Sequence, residues 1–119
     1  MAGAGGECGG MTSLSTHVLD TMHGCPAAGV AVRLLSDGAV LFAGRTDADG
    51  RCRDLPAINP GAYRLEFSIA AWFRARGVVL PEPPFLDVIG IDFGVAEADA
   101  HYHVPLLVSP FSYSTYRGS

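Results

Sequence analysis

Three of the four histidines in this 119-residue chain fall in stretches that alternate like β-strands. In Leu14–Leu19 (LSTHVL), His17 shares a strand face with Ser15 and Leu19, because successive side chains of an extended chain point to opposite sides. In His101–Val108 (HYHVPLLV), the i, i+2 spacing puts the imidazoles of His101 and His103 on one face, while Tyr102, Val104 and Leu106 point the other way. An imidazole titrates near about pH 6.5, so such a face can take and return protons around neutrality. Three histidines are equally the raw material of a zinc site, or simply a solvated polar surface. No carboxylate stands at an obvious strand or helix spacing to serve as a further ligand or base. Spacing alone does not choose among these readings.

A cation and a hydroxyl-rich ending complete the candidate chemistry. Arg51 follows the polar turn Thr46-Asp47-Ala48-Asp49-Gly50, and a guanidinium fork binds planar, carbonyl-rich or anionic edges through paired hydrogen bonds. The last residues, SPFSYSTYRGS, bring Tyr113, Tyr116, Arg117 and Ser119 beside one another. No G-x-S-x-G elbow, glycine-rich phosphate loop or H-E-x-x-H pattern occurs. All eight basic residues are arginines, so Schiff-base chemistry through lysine is excluded.

The elements that must position these groups read as short strands. Leu14–Leu19 is followed by a turn-rich loop, Asp20–Gly29, and by a second strand, Val30–Leu35. Ser36-Asp37-Gly38 then turns the chain into Val40–Ala43, an Asp-Gly hairpin signal. Tyr63, Leu65, Phe67 and Ile69 alternate with Arg64, Glu66 and Ser68, the period of two that marks one buried face. Ala70–Gly77 loses the alternation and predicts one short helix, whereas the proline-rich Leu80–Phe85 predicts extended chain. Asp87–Phe93, His101–Val108 and Ser112–Tyr116 supply the remaining strands. Seven to eight strands with one helix make a mainly all-β chain, folded as an antiparallel sandwich.

Composition narrows the class further. With 12 acidic and 8 basic residues the formal charge is −4, and the arginines are scattered singly, which argues against nucleic-acid binding. Three cysteines without C-x-x-C spacing favour free thiols over a disulfide framework or a thiolate zinc site. Residues 1–10 (MAGAGGECGG) predict a disordered extension and lack the pattern of a signal peptide, which leaves a domain over 11–119. No apolar run reaches the roughly 18 residues that span a bilayer, so no membrane association and a cytoplasmic location are expected. A domain of this size encloses little internal volume, which favours a site at a subunit interface.

Taken together, several segments resemble one family. Leu14-Ser15-Thr16-His17-Val18-Leu19-Asp20 resembles the N-terminal signature of the transthyretin-like 5-hydroxyisourate hydrolases. Thr46–Arg51 resembles their central turn, and His101–Leu107 with Tyr113-Ser114-Thr115-Tyr116-Arg117-Gly118-Ser119 resembles their C-terminal signatures. The resemblance runs from Met11 to Ser119, and the Tyr-Arg-Gly-Ser ending separates these enzymes from the hormone carrier that shares their fold. It implies hydrolysis of 5-hydroxyisourate with catalytic positions at His17, Arg51, His103 and Ser119 and a substrate contact at Tyr116. His101 matches the signature without an assigned catalytic role, and Arg117 is a candidate structural residue. The resemblance further implies no cofactor or metal, and a homotetramer with sites at the dimer–dimer interface. A non-catalytic small-ligand carrier and a three-histidine zinc hydrolase are the alternatives.

Overall fold

A computed structural model describes residues 11–118; the glycine-rich extension and Ser119 lie outside the described residues. The elements run β1 (Ser13–Asp20), β2 (Cys25–Pro26), β3 (Ala31–Ser36), β4 (Ala39–Arg45), β5 (Gly61–Ser68), α1 (Ile69–Ala75), β6 (Val88–Val95), β7 (His101–Val108) and β8 (Tyr113–Thr115). They form two four-stranded sheets, ordered β2-β1-β7-β8 and β4-β3-β5-β6. The sandwich expected from the alternation is therefore present, with one difference. Five of the six strand pairs are antiparallel, but β1 and β7 run parallel over eight residues. Parallel neighbours need a long crossover, and the whole second sheet is that crossover.

Local chemistry explains most element boundaries. Asp37 and Gly38 both adopt positive φ, 50° and 79°, as a two-residue hairpin turn between β3 and β4 requires. Ile69, expected on the strand, instead opens the helix. Its amide and that of Ala70 donate to the Asp87 carbonyl, which ends the β5 ladder and turns the chain. The helix buries Ile69, Ala70, Trp72 and Phe73, and the Trp72 indole donates to the Ala28 carbonyl at 2.8 Å. Residues 80–85 carry no regular structure, in keeping with their prolines.

The core fills the space between the sheets. Leu14 and Val18 of β1 and Val104, Leu106 and Val108 of β7 face Val32, Leu34, Leu65, Phe67, Ile89 and Ile91 of the other sheet. Buried polar groups on this side are satisfied: the Thr16 hydroxyl donates to the Val104 carbonyl at 2.6 Å, and that of Thr46 donates to Ala27 and accepts from the Val30 amide. Because even-numbered residues of β1 and β7 point inward, the odd-numbered ones, including all three strand histidines, point outward.

Candidate active site

The parallel register fixes what lies beside what on that outer face. Ser13 stands opposite His101, Ser15 opposite His103, and His17 opposite Pro105. His17 therefore sits one face position further along the sheet than His103. The face reads as a row of serines and imidazoles, with half-buried Leu19 and Leu107 at its far end.

Arg51 reaches this face through the Thr46–Arg51 turn. Asp47 organises the turn: its carboxylate accepts from the amides of Asp49 and Arg51, and its own amide donates to the Arg51 carbonyl. Gly50 then presses against β1, with its carbonyl accepting from the Val18 amide at 2.8 Å. Its φ of +76° is strained for any other residue, and a Cβ there would lie 2.5 Å from the Val18 carbonyl oxygen. The close approach makes Arg51 the bridge partner of His17. Among the described residues no carboxylate pairs with the Arg51 guanidinium, whereas Arg53 next to it is held by both Asp47 and Asp49. Beside β1 and Arg51 lies a cleft of about 250 Å³ lined by Ser15, Thr16, Arg51, Cys52 and Arg53. A larger hollow, about 500 Å³, opens on the other sheet around Leu35, Tyr63, Arg64 and Asp92. It contains no histidine, and its arginine is engaged by Glu66 and Asp92.

The electrostatics single out His103. Burial lowers its pKa below the ordinary imidazole value, and the Arg51 charge, followed by repulsion between the imidazolium forms of His103 and its neighbours His101 and His17, lowers it further. A neutral imidazole at neutral pH is a ready proton acceptor. Cys52, also near Arg51, is the opposite case, because burial pushes its thiol up and away from the reactive thiolate. His23, the fourth histidine, lies outside the site and bonds the buried Asp20 carboxylate at the end of β1.

The structure thus brings His17, Arg51 and His103 together. Tyr116 is exposed and lies along a cleft of about 220 Å³ that Ile91, Phe93, Tyr102 and Val104 also line. Arg117 lies over the Tyr102 ring, 3.9 Å from its centroid, and 4.0 Å from Glu97, which is a structural contact. Gly118 turns back to the site: its amide donates to the His103 carbonyl at 2.8 Å, and a Cβ there would fall 2.6 Å from His103 Cδ2. Ser119, which follows, lies outside the described residues.

Two contributions escaped the sequence. Ser15 bonds the Nδ1 atom of His103 at 2.7 Å and the Nε2 atom of His101 at 2.9 Å, and Ser13 bonds the Nδ1 atom of His101 at 2.6 Å. Shared parity with His17 was the available signal for Ser15, but its partners lie across the β1–β7 pair, 86 and 88 residues away in sequence. Among the described residues, no group of three or more His, Cys, Asp or Glu side chains is arranged to hold a metal ion. His101 and His103 are instead joined through a serine.

Known proteins share both the sequence and the fold of this chain. The model of the HIUase/Transthyretin family matches residues 14–118. The 5-hydroxyisourate hydrolase of Pseudomonas aeruginosa is 51% identical over 118 residues, covering 92% of this chain and 93% of that one. The structure of Klebsiella pneumoniae 5-hydroxyisourate hydrolase superposes with a TM-score of 0.81 at 38% identity, covering 92% of this chain and 100% of that one. Sea bream transthyretin in complex with thyroxine matches with a TM-score of 0.78 at 33% identity, over 88% of this chain and 93% of that one. With its signature segments in place and nearly its whole length matched, the chain belongs to the HIUase/Transthyretin family.

Proposed function

We infer that this protein is a hydrolase that opens the oxidised purine 5-hydroxyisourate in urate breakdown, giving 2-oxo-4-hydroxy-4-carboxy-5-ureidoimidazoline. The observation that carries the reading is one sheet face holding half-buried His103, whose pKa burial lowers, with His17 and an Arg51 guanidinium without a carboxylate partner among the described residues. A carrier of apolar ligands has no use for a proton acceptor beside a guanidinium.

The chemistry follows from these groups. His103 and His17 orient the attacking water at the lactam carbonyl, and His103 takes its proton. Arg51 binds the carbonyl oxygen and stabilises the negative charge that develops on it in the tetrahedral intermediate. The leaving ring nitrogen recovers a proton as the C–N bond breaks. Ser119 and Tyr116 complete the hydrogen bonds to the substrate. The protein acts as a homotetramer with sites at the dimer–dimer interface. The open histidine face and the half-buried Leu19 and Leu107 on it support such an assembly. No helix among the described residues is long and apolar enough to cross a membrane, and the cytoplasm is the proposed location.

The test is a coupled assay in which urate oxidase generates 5-hydroxyisourate and its absorbance decay is followed with chelator present. Accelerated decay is expected. Substrate bound without acceleration would favour the carrier reading suggested by the likeness to transthyretin, and acceleration lost only with chelator would favour a zinc site.

A further inference from the structure

The hydrogen bonds around Ser15 constrain the protons of both imidazoles. A serine hydroxyl has one proton, so it can donate to one of two ring nitrogens and must accept from the other. Ser15 stands between His101 Nε2 at 2.9 Å and His103 Nδ1 at 2.7 Å. While both rings are neutral, one of these two nitrogens carries a proton and the other does not. The series continues outward, because His101 Nδ1 bonds the Ser13 hydroxyl at 2.6 Å, and both His101 and Ser13 are exposed. Four groups on two strands thus form an unbroken line from His103 to solvent.

Resting on the catalytic role given to His103, we propose that Ser15 and His101 form a hydroxyl–imidazole relay that sets the tautomer of His103 and exchanges its proton with solvent. In the first orientation, His103 Nδ1–H donates to Ser15, Ser15 donates to His101 Nε2, and His101 Nδ1–H donates to Ser13. That leaves the lone pair of His103 Nε2 free as a base. When Nε2 takes a proton from the attacking water, the Nδ1 proton moves to Ser15. The Ser15 proton moves to His101 Nε2, the His101 Nδ1 proton to Ser13, and the Ser13 proton to solvent. Each group gives one proton and gains one, and no net charge stays on the face. The second orientation leaves His103 with Nε2–H, the acid form that protonates the leaving nitrogen while the line runs in reverse: solvent gives a proton to Ser13, Ser13 to His101 Nδ1, His101 Nε2 to Ser15, and Ser15 to His103 Nδ1. The parallel β1–β7 register makes this possible, since it sets Ser13 against His101 and Ser15 against His103 on one face. Ser15 and His101 are positioning residues, acting through His103.

The experiment combines imidazole ¹⁵N spectra of the free protein with steady-state kinetics. In Ser15→Ala, His103 should lose its fixed Nδ1–H tautomer, and kcat should fall at least about tenfold with little change in KM, since a wrong tautomer disables a catalytic histidine. Ser15→Thr, which keeps the hydroxyl, should restore both. His101→Phe removes the acceptor that orients the Ser15 hydroxyl, so the His103 tautomer should become mixed and kcat should fall in dilute buffer, with recovery on adding imidazole. An unchanged His103 tautomer and wild-type kcat in Ser15→Ala would overturn the relay, as would a loss that threonine fails to rescue. The spectra need no turnover, so they decide the relay's geometry even if the wild-type protein leaves 5-hydroxyisourate intact.

Discussion

The roles proposed for His103 and Arg51 make separable demands on the reaction, and single substitutions should separate them. Losing a general base costs about 10²–10⁴ in rate, and losing a donor to the developing oxyanion costs a comparable amount. His103→Ala and Arg51→Ala are each expected to lower turnover at least about a hundredfold; near-normal rates would remove the role assigned. The pH profile carries a second expectation. Burial first, and then the Arg51 charge, hold His103 below the ordinary imidazole value, so the base stays neutral and active as pH falls to that value. The acid limb of kcat/KM should therefore lie below the usual imidazole range. Arg51→Gln removes one depressing charge, so the limb should move to higher pH in whatever activity survives. The same shift bears on stability. An imidazole whose folded pKa is lowered binds more protons when unfolded, so its contribution is present above the ordinary value and lost as pH drops through it.

At the level of elements, the site depends on one turn lying hard against one strand. Gly50 meets two requirements together, a left-handed backbone and a Cβ-free approach to the Val18 carbonyl. Gly50→Ala should cost about 1–3 kcal/mol from backbone strain alone and more from the clash. Thermal melting would register this as a fall of several degrees, on the order of 4 °C or more per kcal/mol for a domain of this size. An unchanged midpoint would mean that the turn can lift from β1 without cost. The motif Thr46–Arg51 was visible in the sequence because Asp and Gly have defined turn chemistry, but its docking on β1 was not. That contact joins residues 32 apart through backbone hydrogen bonds, which carry no side-chain signature.

At the scale of the whole molecule, the C-terminal segment is held against β7. β8 pairs with β7, Arg117 stacks on Tyr102, and Gly118 returns to His103, so the tail is anchored up to its last described residue. Deleting Tyr116–Ser119 should abolish most activity while leaving a folded oligomer, as read by circular dichroism and light scattering after gel filtration. A tetramer mass is expected for the full chain. Unfolding of the truncated chain would show instead that the Arg117 and Gly118 contacts hold β7 in place.

The sequence by itself determined the strand alternation, the single helix, the two Asp-Gly turns and the family to which the chain belongs. These are local features: side-chain parity along an extended chain and backbone preferences at turns are written in adjacent residues. It also put His101 and His103 on one strand face and His17 on another, because side chains alternate along an extended chain and Leu14, Val18, Tyr102, Val104 and Leu106 take the opposite parity. Tertiary structure alone decided that β1 and β7 pair in parallel, since nothing in either strand specifies the direction of a partner more than 80 residues away. That register sets Ser15 between two imidazoles and His17 one step beyond His103. The fold also left Arg51 without a carboxylate partner among the described residues. Burial and charge at His103 are sums over groups from β1, β7 and the Thr46–Arg51 turn, and such sums exist only once the chain has folded.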